Sequence, residues 1–223
     1  MMENALGDWA QDLQLLAWLH IEEREPALLQ EMAARGFPEG LLIGSCAQTA
    51  AMRGALAALT PEHGDDLAAD FAAIYLTHAY RASPCESVWR DEDHLAWQGP
   101  TFAVRAWYQR YGLSVKDWRA LPDDHLAHQL AFVAFLLEQG QTGAAARFLD
   151  AHLLTFLPQF CERVAQRAGT AFYRGLAGMT QAIVAALRCQ LPDVAPESEA
   201  EHEEIPAVPI HFVGRDTWLD KPG

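Results

Sequence analysis

Between Pro122 and Leu130 the chain places Asp123, Asp124, His125, His128 and Gln129 against an apolar run that continues to Leu137. Carboxylates and imidazoles at this spacing suit three kinds of work. They can cap a helix, because a carboxylate at a helix N-terminus meets unpaired N–H groups and the positive end of the dipole. They can hold a metal ion, although His125 and His128 are i, i+3 with no third ligand in sight and no HExxH pattern exists. They can also receive a cation such as a guanidinium through charge-assisted hydrogen bonds. One aspartate suffices as a cap, with Pro122 setting the first turn. The surplus, Asp124 with His125, is expected to face a partner.

A second candidate stretch is Arg81–Ala82–Ser83–Pro84–Cys85–Glu86–Ser87–Val88–Trp89–Arg90–Asp91–Glu92–Asp93–His94. It has no sustained period and reads as a long connection, a feature that tends to be functional. Trp89 and Trp97 in or beside it suit either a lid or binding anchor or plain core packing, whereas Trp107 has the spacing of a core residue. No glycine-rich phosphate loop, G-x-S-x-G elbow or Cys–His nucleophile arrangement is present. The four cysteines, Cys46, Cys85, Cys161 and Cys189, form no CxxC motif and read as free, mostly buried thiols.

Helices must position these stretches. Trp9, Leu13, Leu16 and Leu19 recur at helical spacing and predict a helix from about Leu6 to Ile21. Pro26 opens a second, stopped by Gly36. Ser45 to Leu59 predicts a third, closed by Thr60–Pro61. Asp65 or Asp66 is placed to cap a fourth that holds Phe71, Tyr75 and His78. Gly99–Pro100–Thr101 starts a fifth, stopped by Gly112. The Ala120–Leu130 stretch starts a sixth that runs to Gly140 and is apolar on most of its circumference, so it belongs at the centre. Thr142 to Phe156, Pro158 to Arg167 and Ala171 to Cys189 complete about nine helices. No strand alternation shows before Pro192, and no fixed-period repeat suggests a solenoid. The expectation is an all-α protein: a single globular helical domain over residues 1–191 and an acidic tail over 192–223.

About half of the 223 residues are apolar, enough for a sizeable core. No apolar stretch reaches the ~18 residues of a membrane span, and the first residues show no secretory signal, so a cytoplasmic protein without stable membrane insertion is expected. Net charge is −14. The tail carries eight acids against Arg215 and Lys221, which leaves about −8 on the body. An acidic body disfavours nucleic acid and is compatible with a basic peptide. Pro, Glu and Ser dominate the tail's start, while Ile210–His211–Phe212–Val213 and Trp218–Leu219 are apolar. A disordered tether or a docking piece both fit.

Several segments resemble the TorD/DmsD/NarJ family of molybdoenzyme-specific chaperones. Asp70–Phe71–Ala72–Ala73–Ile74–Tyr75–Leu76 is similar to that family's aromatic-x-x-Leu-Phe helix end. Pro84–Cys85–Glu86–Ser87–Val88–Trp89 resembles its Pro-x-Glu-Ser-Val-aromatic loop, and Leu121–Pro122–Asp123–Asp124–His125–Leu126 its Pro-x-Asp-His signature. Gly99–Pro100, Val104–Arg105, Tyr108 and Gly112–Leu113 continue the pattern. Gln129 stands where many relatives carry Glu, and Cys85 where an aromatic is common. The resemblance implies an all-helical, non-catalytic, cofactor-free chaperone. Its partner would be the apo catalytic subunit of a molybdopterin oxidoreductase, bound at its twin-arginine signal peptide, its mature part or both. Binding would assist cofactor insertion and delay Tat export. Leader-binding roles carry over to Pro84, Glu86, Ser87, Trp89, Pro122, Asp124 and His125. The chaperone itself would be a monomer or a domain-swapped dimer. A nucleotide- or metal-dependent helical enzyme and a general interaction module with another client are the other readings.

Overall fold

In chain order the protein forms α1 (Met2–Ile21), α2 (Pro26–Ala34), α3 (Ala47–Ala57), α4 (Gly64–Phe71), α5 (Ser87–Arg90) and α6 (Gly99–Arg110). There follow α7 (Leu126–Glu138), α8 (Thr142–Phe148), α9 (Leu154–Arg167) and α10 (Ala171–Gln190). Short strands β1 (Leu113–Ser114) and β2 (Val208–Pro209) pair in parallel, Leu113 opposite Val208. The structure, a computed structural model, describes residues 2–195 and 208–209. The rest of the tail, including the docking piece expected at Ile210–Val213, lies outside the described residues.

Helix α7 is the centre. Leu126, Leu130, Phe132, Val133, Ala134 and Leu136 are fully buried, as a helix apolar all round requires. Each Leu or Phe buried there contributes roughly 1.5–3 kcal/mol. Helix α1 packs along α7, and α10 packs against α9 and α3. Phe132 meets Tyr108 and Phe148, both at 4.8 Å between ring centroids, which ties α6 and α8 to the central helix.

Two buried polar residues, His20 and Asp70, link distant segments. His20 of α1 accepts from the Tyr75 hydroxyl at 2.5 Å through Nδ1. Its Nε2 donates to Thr180 Oγ1 at 2.8 Å, whose own proton goes to the Leu176 carbonyl. Burial pushes His20 down to about 3, so it is neutral in the fold. Asp70, at the end of α4, accepts the Gly169 and Thr170 amides at 3.0 and 2.7 Å, the Thr170 hydroxyl at 2.6 Å and the Tyr80 hydroxyl at 2.9 Å. That carboxylate fixes the start of α10, where Thr170 is the N-cap.

Some boundaries differ from expectation. Helix α4 begins at Gly64 after a short 3₁₀ turn, so Asp65 and Asp66 lie in its first turn and neither is its cap. The Arg81–His94 connection contains one helical turn, α5. Helix α7 begins at Leu126, and its cap is His125, whose Nδ1 accepts the Ala127 amide at 3.1 Å. Neither Asp123 nor Asp124 caps it, because both carboxylates bond to other segments. Pro158 does not open a helix. Nothing in Leu149–Leu153 stops α8, and that segment continues as a wide π turn into α9, which holds Pro158 inside it.

Candidate client-binding site

The two candidate stretches meet. Cys85 and His125 form an isolated antiparallel bridge. The Leu126 amide donates to the Pro84 carbonyl at 2.7 Å, and the Glu86 amide donates to the Asp124 carbonyl at 3.2 Å. Asp124 completes the junction with its side chain. Oδ2 accepts the Ser87 amide at 2.7 Å, and Oδ1 accepts the Thr101 hydroxyl at 2.9 Å. One carboxylate therefore joins the starts of α5, α6 and α7. Burial pushes Asp124 upward, an effect opposed by these donors.

Glu86 forms the second layer and is fully buried. Arg90 Nη1 lies 2.5 Å from its Oε1, His152 Nδ1 lies 3.1 Å from Oε2, and Gln129 Nε2 donates to Oε2 at 3.2 Å. Gln129 Nε2 also donates to the Asp124 carbonyl at 2.9 Å, so the two layers share a residue. Asp123 looks the other way. Its Oδ2 accepts from Arg105 Nη2 at 2.8 Å, and its carbonyl accepts the Tyr108 hydroxyl at 2.9 Å. His128 Nδ1–H donates to the Pro122 carbonyl at 2.9 Å.

Pro84, Glu86, Ser87, Pro122, Asp124 and His125 are all buried, and Trp89 is half-buried. Asp124 is 0% exposed and His125 1% exposed, so both point into the junction. Burial drives His125 well below the usual imidazole range. Trp89 is anchored by its indole N–H, which donates to the Ser83 carbonyl at 2.7 Å. Among the described residues no group of three His, Cys, Asp or Glu side chains could hold a metal ion. The four cysteines are free, with Cys85 and Cys161 buried, Cys46 partly so and Cys189 exposed.

Beside the junction lies an accessible aromatic face. Phe102 is 54% exposed and Trp118 37% exposed. Trp97 meets Trp118 edge-on at 5.8 Å. The Arg105 guanidinium stands 4.7 Å from the Trp118 ring centroid and 5.4 Å from that of Phe102. Arg105 thus connects the aromatic face to the buried Asp123 carboxylate. Sequence reasoning did not single out Phe102, Trp118 or His152. The i, i+4 spacing of Glu86 and Arg90 was a usable signal. His152 lies 66 residues from Glu86 and gave none.

The geometry defines a buried polar junction that shapes a loop, with an aromatic and cationic surface next to it. The model of the nitrate reductase delta subunit family matches residues 42–162, a little over half of the chain. A chaperone protein TorD of Vibrio vulnificus strain YJ016 is 32% identical over 120 residues, 48% of this chain and 56% of the relative. One from Vibrio cholerae serotype O1 strain ATCC 39541 is 32% identical over 131 residues, covering 53% and 59%. One from Actinobacillus pleuropneumoniae serotype 3 is 34% identical over 113 residues, covering 49% and 55%. The matches span little more than half the length of these curated relatives. The chain belongs to the TorD/DmsD/NarJ family.

Proposed function

We propose that the protein is a cytoplasmic chaperone, not an enzyme, for the catalytic subunit of a molybdopterin oxidoreductase. It binds the apo subunit through its twin-arginine leader, assists cofactor insertion by holding the subunit, and delays export until that step is done. The TorD chaperones among its relatives and the family match support this reading. The observation that carries it is the junction of the Pro84–Trp89 and Pro122–His125 segments beside the Trp97, Phe102 and Trp118 face. The leader's apolar stretch lies across those rings, which supply large, rigid contact area. Its arginines compete with Arg105 for Asp123, one guanidinium replacing another. Pro84, Glu86, Ser87, Pro122, Asp124 and His125 act as positioning residues that hold the loop, and Trp89 contributes its half-buried ring. In the described residues no helix is long and apolar enough to cross a membrane.

Calorimetric titration of the full chain with a twin-arginine leader peptide and its Lys–Lys version tests the proposal. The arginine form binds at least tenfold more tightly. Equal affinity for both peptides, or none for either, removes arginine recognition.

A further inference from the structure

A second feature lies at Trp89. A cavity of about 580 Å³ opens between the 78–96 segment and α9. Its apolar wall is Val88, Trp89, Leu95 and Ala96, and its polar lining is His78, Arg81, His94 and Arg163 with Ser83. Among the described residues no carboxylate lines it. A chain of net charge −14 has gathered two guanidiniums and two imidazoles around one apolar hollow. The size is that of a small-ligand site.

The cations are not consumed internally. Among the described residues neither Arg81 nor Arg163 forms an ion pair. Arg163 Nη1 donates to the Arg81 carbonyl at 3.3 Å, and its guanidinium stands 5.8 Å from the Trp89 centroid. His78 and His94 each use Nδ1 on a backbone carbonyl, of Ile74 and Val88, which leaves Nε2 uncommitted. The backbone is also unusual here. The non-glycine residues with positive φ among the described residues are His78, Arg81, His94 and Trp97, and three of these line the cavity. Left-handed conformations at bulky residues cost free energy, and such positions cluster at ligand sites.

We propose that this cavity binds a small organic anion, a carboxylate or phosphate carried on a ring or short apolar body. The anionic group sits between Arg81 and Arg163, the body lies against Trp89 and Leu95, and the two imidazoles close the rim. The same basic rim repels a twin-arginine segment, so the cavity is separate from the leader's arginine contacts. The inference stands whether or not the leader is recognised.

The test is calorimetry on the full chain with 1-naphthyl phosphate, 1-naphthoate and neutral 1-naphthamide. The expected result is one anion per chain, with at least one anion binding at least tenfold more tightly than the amide. Arg81 is exposed and among the described residues its side chain makes no hydrogen bond or ion pair, so Arg81→Gln folds normally. It weakens the anion at least fivefold and leaves the amide unchanged, whereas Arg119→Gln near Trp118 changes neither. Equal binding of amide and anions overturns the proposal. So does anion binding that survives both Arg81→Gln and Arg163→Gln.

Discussion

Asp124 accepts the Ser87 amide at 2.7 Å across 37 residues of sequence. The same residue's carbonyl accepts the neighbouring Glu86 amide, so side chain and backbone of one position grip two consecutive donors of the other segment. A loop held this way has its register fixed before any partner arrives, which lowers the ordering cost of binding.

Removing that grip costs stability as well as affinity. Asp124→Ala leaves the Ser87 amide buried without its acceptor and destabilises the fold by about 2–3 kcal/mol. Asp124→Asn keeps one acceptor, and the Thr101 hydroxyl rotates to meet the new amide, so it costs less. Urea midpoints and hydrogen exchange at the Ser87 amide report both effects. Leader affinity that falls equally in the two variants points to a direct charge contact. Affinity that tracks loop opening points to positioning.

Gln129 offers a sharper test of the polar junction. It donates to both Glu86 and the Asp124 carbonyl, which explains why an amide fits this position. Gln129→Glu sets a second buried carboxylate beside Glu86 and costs about 3 kcal/mol at pH 8. Two such groups cannot both ionise easily, so one takes up a proton in the fold above its unfolded range. Stability is then retained at low pH and lost as pH rises. The deficit against the parent protein shrinks at pH 5, as urea unfolding at the two pH values will show.

Acid sensitivity of the parent protein follows from its buried imidazoles. Burial lowers His20 to about 3 and His128 to about 4, and it also lowers His125 well below its usual range. The unfolded chain protonates these groups near 6.5. Below that pH the unfolded state binds more protons, so stability falls as pH drops. His20 and His128 each remove about 2 kcal/mol between pH 7 and pH 5. Asp124, raised by burial, acts in the opposite sense at the acid end. Urea midpoints over this range should decline steadily, and His20→Gln should flatten the slope. A level profile contradicts the neutral assignment.

The aromatic face makes a prediction separable from folding. Phe102→Ala and Trp118→Ala remove exposed rings, leave the thermal midpoint within a few degrees of the parent's and weaken leader binding about 5- to 30-fold each. Trp107→Ala, 7% exposed and packed on Phe148 at 5.5 Å, instead lowers stability by about 3–5 kcal/mol. Calorimetry and thermal melts separate the two classes.

The helical architecture was legible because periodicity and stops are local. Leu126 to Leu137 announced a central helix, and Gly36 and Gly112 ended their helices with φ of +97° and +67°. Pro158 misled because a proline can sit inside a helix as well as start one, and the π turn before it leaves no mark in composition. The site was half legible. The family resemblance singled out Glu86, Ser87, Asp124 and His125 without placing them in contact, and the structure brings the two segments together. Their inward direction was not readable, because polar residues beside a core helix look the same whether they face a partner or each other. His152 and Thr101 complete the junction from positions that share no spacing with it.

The short parallel ladder of Leu113–Ser114 with Val208–Pro209 has a consequence for competition. Residues 191–207 link the end of α10 to Val208, so the second strand is covalently tethered to the edge it covers. Such a tether holds a segment at an effective concentration in the millimolar range. A free peptide seeking that backbone edge must outbid a competitor that never diffuses away, and dilution of the protein does not weaken the incumbent.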